Sequence, residues 1–293
     1  MAEAADVEAL PRRAETRASR AASPAPPRRP SRLGLRVPLP RALYVAIAAS
    51  SFVAVAGAWA VLSYGGWVSP LFLPTPGLVA ARCAALLGDG VLAADLWISN
   101  VRILAGFLAA TAVAIPLGML AGNLRAVEAA LEPVLGFARY LPVPAFIPLL
   151  MLYTGIGEAP KILVIFVGTV VQEIVMIADV TKATPAGWIR AALAMGASPA
   201  EVFMRVIWPA SLPGIVDVAR INLGFAWTYL VVAELVAANE GLGYRILKSQ
   251  RFLQTDTIFL YLLLIGALGI ACDMAFKVFQ RRAFAWSEQK VHG

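Results

Sequence analysis

Six apolar runs, each long enough to cross a hydrocarbon layer, constrain this chain more than any other feature. They fall at approximately 42–63, 96–121, 134–154, 161–180, 213–238 and 257–279, each bounded by charge, Pro or Gly. A run of about 20 apolar residues crosses a core of about 30 Å as an α-helix, and a helix satisfies its own backbone polar groups where no water can. Only 15% of the 293 residues are charged and 60% are hydrophobic, against roughly 25% charged in a soluble domain. Such a chain cannot hide its apolar surface from water. The pattern predicts an all-α, polytopic membrane protein of about six transmembrane helices.

The charges set the expected topology. The formal net charge is +7, but nine of the 25 Lys and Arg residues lie in the first 41 positions, which reads as a cytoplasmic tail rather than a nucleic-acid surface. Rich in Pro, Arg and Ala, residues 1–40 are expected to be disordered, and they are too long and too polar to form a simple cleaved signal peptide. A transmembrane domain over 41–286 and a short tail over 287–293 follow. With the Arg-rich tail inside, 122–133, 181–212 and the end bearing Lys277, Arg281, Arg282 and Lys290 are inside too, so both termini are expected in the cytoplasm. Arg245, Lys248 and Arg251 fall outside, against the rule, but the bias at the two tails outweighs one loop. Pro142, Pro144 and Pro148 predict a broken or tilted third segment.

Several chemistries lack material. The single histidine is His292, so neither a His-based metal site nor a His-dependent triad is expected. No G-x-x-x-x-G-K-[ST] loop occurs, so no ATP site is expected in this chain. Cys83 and Cys272 are expected in different compartments, which argues against a disulfide. No catalytic residue, metal or cofactor is assigned.

The stretch from Thr184 to Pro209 reads almost residue by residue. Thr184 is the expected N-cap with Pro185 at N1, and Gly196 closes the helix. Ser198, Pro199 and Glu201 have the spacing of a capping box for a second helix, which Pro209 is expected to disrupt. The apolar residues Trp188, Ala191, Ala192, Met195, Val202, Phe203 and Val206 recur mostly every three or four positions, giving each short helix a face to bury. Two readings are open on these residues alone: a hairpin lying on the membrane surface or under its own helices, and a hairpin that docks a partner.

Arg190-Ala-Ala-Leu-Ala-Met-Gly196, followed by Val206-Ile-Trp-Pro209, resembles the EAA loop of ABC-importer permeases, with Arg190 where the family usually carries Glu. The resemblance extends over roughly Pro70 to Trp286 through Leu73-Pro-Thr-Pro76, Arg102-Ile-Leu-Ala-Gly-Phe107, Leu131-Glu-Pro133, Arg139-Tyr-Leu-Pro-Val-Pro144, Gly155-Ile-Gly-Glu158, Ala233-Glu234 and Gly241-Leu-Gly-Tyr244. These stretches narrow it to the branch serving nitrate, sulfonate, taurine and bicarbonate. The resemblance implies a type I ABC-importer fold in a bacterial inner membrane and a homodimer or paired permease. It also implies an ABC ATP-binding subunit holding ATP-Mg, an extracytoplasmic solute-binding protein, and a small anion such as a sulfonate or nitrate as solute. Carried onto this sequence, it implies that Arg190, Ala191, Ala192, Gly196, Val206 and Pro209 form the ATPase-coupling loop.

Gln172, Glu173, Asp217, Arg220, Asn222, Glu234 and Asp273 fall inside apolar runs and must face protein or water, since each costs a few kcal/mol against lipid. Gln172, Asn222 and Glu234 either line a solute path or tie helices together. A carboxylate suits an anion path poorly, so Glu234 is expected to pair with a cation or cap a helix end. Glu158 and Lys161 read as an ordinary surface ion pair, and the GxxxG of Gly118 and Gly122 is open between a close helix contact and ordinary packing, the second being favoured because such spacings arise often by chance in Ala/Gly-rich spans. Two rival classes are weighed. An ion-coupled secondary transporter needs a repeat or an embedded ion site, and an intramembrane enzyme needs paired carboxylates, a metal cluster or a nucleophile–base pair.

Overall fold

The computed structural model describes residues 39–286; the tails expected over 1–40 and 287–293 lie essentially outside that range. Every regular element among the described residues is helical: α1 (Arg41–Tyr64), α2 (Pro76–Gly88), α3 (Val91–Asn123), α4 (Arg125–Ala138), α5 (Ile147–Thr154), α6 (Ala159–Lys182), α7 (Ala186–Ala194), α8 (Pro199–Val202), α9 (Trp208–Ala237), α10 (Leu242–Arg251) and α11 (Thr255–Ala283). Contacts divide the chain within α1, at Val55, and the unit from Ala56 onward holds the rest. Five helical stretches are long and apolar enough to cross a membrane, and they become six if the two helices bent by 89° at the proline cluster count as one broken span. Pro144 lies in the first turn of a short 3-10 helix over Val143–Phe146 and Pro148 in the first turn of α5. There the missing N–H is one the helix could not have used.

The central contact is between α3 and α6. On α3 a small residue recurs every fourth position: Gly106, Ala110, Ala114, Gly118 and Gly122. That spacing keeps one stripe on one face and lets two backbones approach. A Cβ on Gly118 would lie 2.7 Å from Ile177 Cβ and 2.8 Å from the Ile174 carbonyl, a Cβ on Gly106 would meet Ile165 and the Ile162 carbonyl as closely, and one on Gly122 would collide with Thr181. The Gly118–Gly122 pair is thus part of a close helix contact. Gly118→Leu is expected to lower stability by roughly 1–3 kcal/mol through overpacking. Unfolding of the detergent-solubilised chain by added SDS measures it, and a wild-type midpoint would mean that α3 and α6 have slack.

Pro209 does not end the second helix of the hairpin. Residues Phe203–Ile207 form a π-helical turn and the chain continues as α9. Trp208 donates its N–H to the Phe203 carbonyl, five residues back. The wider turn accommodates a proline that would otherwise crowd the carbonyl of the preceding turn.

Candidate functional site

The hairpin is built from local cap chemistry. Helix α7 begins one residue later than expected. The Thr184 N–H still bonds the Thr181 carbonyl at 3.2 Å, so Thr184 belongs to the closing turn of α6, and the Pro185 carbonyl accepts from the Trp188 N–H at 3.0 Å. At the other end the Gly196 N–H donates to the Leu193 carbonyl (3.0 Å) and the Ala197 N–H to the Ala192 carbonyl (3.1 Å). This paired closure requires the residue between to be left-handed, and Gly196 has φ +87°. The capping box is complete: Ser198 Oγ accepts the Glu201 N–H at 3.3 Å, and Glu201 Oε2 accepts the Ser198 N–H at 3.0 Å.

The apolar residues of the hairpin do not share one buried face. Ala192, Val202 and Ile207 pack with Ala114, Ile174, Ile177, Ile215 and Val218 of α3, α6 and α9, whereas Trp188, Leu193, Met195 and Met204 stand exposed, Met195 at 82%. A nine-residue helix has turns enough for two apolar stripes, and only one of them docks on the bundle. Of the candidate coupling residues, Arg190, Ala191 and Gly196 are exposed, Ala192 is buried, and Val206 and Pro209 are half-buried.

A second cluster joins α3, the start of α6, the end of α9 and the start of α10. Asp95, Ser99 and Arg102 follow one another at helical spacing on α3, each at most 1% exposed. Arg102 grips Glu158 with Nε and Nη2, at 2.5 and 2.9 Å. Its Nη1 donates to Glu234 Oε1 and to the Glu240 carbonyl, both at 2.8 Å. Three of the opening N–H groups of α10, which have no partner within the helix, go to side chains from neighbouring helices. The Gly241 N–H goes to Asp95 (2.9 Å), that of Leu242 to Ser99 (2.9 Å) and that of Gly243 to Glu234 (2.8 Å). Arg245 and Tyr261 donate to the other Asp95 oxygen, and Lys161 to Glu158. Three carboxylates (Asp95, Glu158, Glu234) therefore balance three cations (Arg102, Lys161, Arg245). Gly241 has φ +114°, and a Cβ there would lie 2.5 Å from Glu234 Oε1.

Glu158 and Lys161 are therefore not an ordinary surface pair: Lys161 is 4% exposed, and Glu158 bridges it to Arg102. The Arg102 hydrogen bonds hold the Glu158 carboxyl down at about 2, against desolvation, with Lys161 assisting. A depressed carboxyl binds its proton less readily folded than unfolded. Its contribution is therefore whole above about pH 4.5 and lost as pH falls toward 2. The Glu158 side chain is 47% exposed, so solvent keeps the contribution below about 1 kcal/mol. The wild-type advantage over Glu158→Gln in SDS unfolding is expected to shrink across that window, and a constant advantage would refute the linkage.

The candidate pathway residues occupy three places. Gln172 is half-buried near the middle of α6 and lines a cavity. Asn222, in mid-α9, is fully buried and donates to the Val218 carbonyl at 3.0 Å. Glu234 sits in the charge cluster, both paired with a cation and capping α10. Arg220 joins Asp217 to Asp273, which also takes Lys277, and Thr111 donates to Glu173 at 2.8 Å. Sequence reasoning assigned no site role to Arg102 or Asp95 and read Lys161 only as half of a surface ion pair. A cation in the middle of an apolar run, as Arg102 is, was the available signal.

Residues 114–285 match the family described as binding-protein-dependent transport system inner membrane component, more than half of the chain. The chain belongs to that family. The permease is 40% identical to a probable ABC transporter permease protein of Brucella abortus over 239 residues, covering 82% of this chain and 94% of that one. It is 33% identical to the taurine transport system permease protein TauC of Escherichia coli over 260 residues, 87% of this chain and 94% of that one. The inward-facing methionine ABC transporter MetNI shares the fold, with a TM-score of 0.60 at 22% identity over 66% of this chain and 95% of that chain. The permease is accordingly an ABC-importer subunit of the type I kind and a multi-pass inner-membrane protein, and the secondary-transporter and enzyme readings fall.

Proposed function

We propose that this permease dimerises to form the pathway for a small anion, receives it from an extracytoplasmic binding protein, and is driven by a separate ATPase that binds ATP-Mg and docks on the α7–α8 hairpin. Both termini then face the cytoplasm, with the hairpin on the same side as the basic tails. The observation that carries the reading is the two-sided hairpin. Ala192, Val202 and Ile207 anchor it to three spanning helices, and Trp188, Leu193, Met195 and Met204 offer a second apolar face. A rigid element gripped on one side and exposed on the other can pass a partner's motion to the helices it is packed on. Arg190, exposed beside that face, suits an acidic group on the ATPase, where a glutamate would suit a basic one. A small anion as solute is supported by the TauC likeness, since taurine carries a sulfonate.

Co-purification of the tagged chain in mild detergent, with mass spectrometry of what stays bound, tests the reading. An ATPase with a phosphate-binding loop is the expected companion. Repeated recovery without one, from membranes that still transport, would overturn it. Uptake of taurine, ethanesulfonate, nitrate and bicarbonate by the reconstituted complex then reads the solute class.

A further inference from the structure

Arg139 follows the last residue of α4, at the 89° break between the two bent helices. It borders a cavity of about 270 Å³ whose other walls include Pro142, Phe146, Gly168, Gln172 and Tyr229. Gly168 and Gln172 lie close to the middle of α6, so the cavity sits near half the depth of that span. Away from the ends of the spanning helices, where Arg41, Arg281 and Arg282 lie, the cations have carboxylate partners: Arg102 has Glu158 and Glu234, Lys161 has Glu158, Arg220 has Asp217 and Asp273, and Lys277 has Asp273, while Lys182 at the end of α6 has Glu128. Arg139 makes no ion pair among the described residues. It also borders a second cavity with Glu128, Glu132 and Asp179, yet none of these comes within ion-pair reach.

A lone guanidinium facing lipid within a span costs up to about 2.5–3.5 kcal/mol or more at the centre, and Arg139 is exposed on the single chain, so it must face water or a charged guest. No carboxylate lines the cavity at Gln172. Its polar side chains are a fixed positive fork and a neutral amide, against the Tyr229 ring. That ring is held close to α6, since a Cβ on Gly168 would lie 2.5 Å from it. At roughly 30 Å³ per water in the liquid, the space admits a small oxyanion with a few waters. Guanidinium stays charged at any working pH and matches a planar or tripodal oxyanion with paired N–H donors.

We propose that Arg139, with Gln172 beside it, is an anion-selecting subsite in the translocation path. The proposal rests on the pathway reading above, and its test uses the chain alone. With Cys83→Ser and Cys272→Ser as background, a reporter is placed at Gln172→Cys and separately at Val143→Cys, which lines the same cavity. Reaction rates with anionic sulfonatoethyl and cationic trimethylammonioethyl methanethiosulfonate are measured in membranes, with Arg139 present or as Arg139→Gln. The ratio of anionic to cationic rate is expected to fall about tenfold with Arg139→Gln at both reporters, the effect of one nearby charge in a partly screened site. A ratio unchanged at both reporters, or reporters inert to both reagents in a normally inserted chain, would overturn the subsite. A lowered ratio in a chain that never co-purifies with an ATPase would keep the subsite and sink the importer mechanism. An unchanged ratio in a chain that does co-purify would sink the subsite alone.

Discussion

Exchanging Arg102 for Met is expected to lower the stability of the permease by roughly 3–5 kcal/mol, the cost of stranding a buried charge. Arg102 and Glu234 are each 0% exposed. Without the guanidinium, Glu234 keeps only the Ser99 hydroxyl and the Gly243 N–H, and Glu158 loses its two-point grip. Met is nearly as long and fills much of the volume, so the loss reports charge rather than a cavity. Arg102→Met with Glu234→Gln is expected to recover a large part of it, because the amide oxygen can still accept from Gly243 while the stranded charge is gone. SDS unfolding of the single and double variants reads both effects. A single variant within about 1 kcal/mol of wild type would show that water already compensates the site. The cluster need not be more stabilising than an apolar replacement of the same shape. It fixes where α10 starts, since three of the opening N–H groups of that helix have their partners in α3 and α9.

What the sequence made legible is what depends on near neighbours. The helix-closing Gly196, the Ser198–Glu201 capping box and the apolar runs are local patterns of a few residues to a few turns, and all appear in the structure. Pro209 was misread because a proline only forbids the ordinary helical turn, and a single π turn lets the helix continue. The shift from Thr184 to Pro185 has a similar origin: a good capping residue was already held by the end of the preceding helix. The charge cluster was hidden for a different reason. Asp95, Arg102, Glu158, Glu234 and Arg245 are up to 150 positions apart, and all but Glu158 look unpaired in their own segments. Arg245, one of the three basic residues expected to break the topology rule, has a buried partner in Asp95, which no local window contains. The small-residue stripe on α3 was visible as a spacing, but its meaning depended on α6 lying against it.

Gly196→Val is expected to cut ATP-driven uptake about tenfold while leaving insertion of the chain unchanged, and Gly196→Asp should act in the same direction. A Cβ at Gly196 meets nothing within 4 Å, so no clash is involved; the effect acts through the backbone alone. At φ +87° an L residue costs about 1–2 kcal/mol, and a β-branched one is the least tolerant. The strain is relieved by leaving the left-handed conformation, which breaks the paired bonds from Gly196 and Ala197 to α7 and swings Trp188 and Met195 away from α8. If the ATPase recognises the two helices together, a penalty of that size weakens docking by roughly five- to thirtyfold. Gly187→Ala separates this from general damage to the hairpin. Gly187 is exposed in α7 with nothing near a Cβ, and alanine there favours the helix by about 1 kcal/mol. Uptake should therefore hold in that variant. Normal uptake in Gly196→Val would mean that the angle between α7 and α8 is irrelevant to energy coupling, and the exposed face around Trp188 and Met195 would then need another occupant.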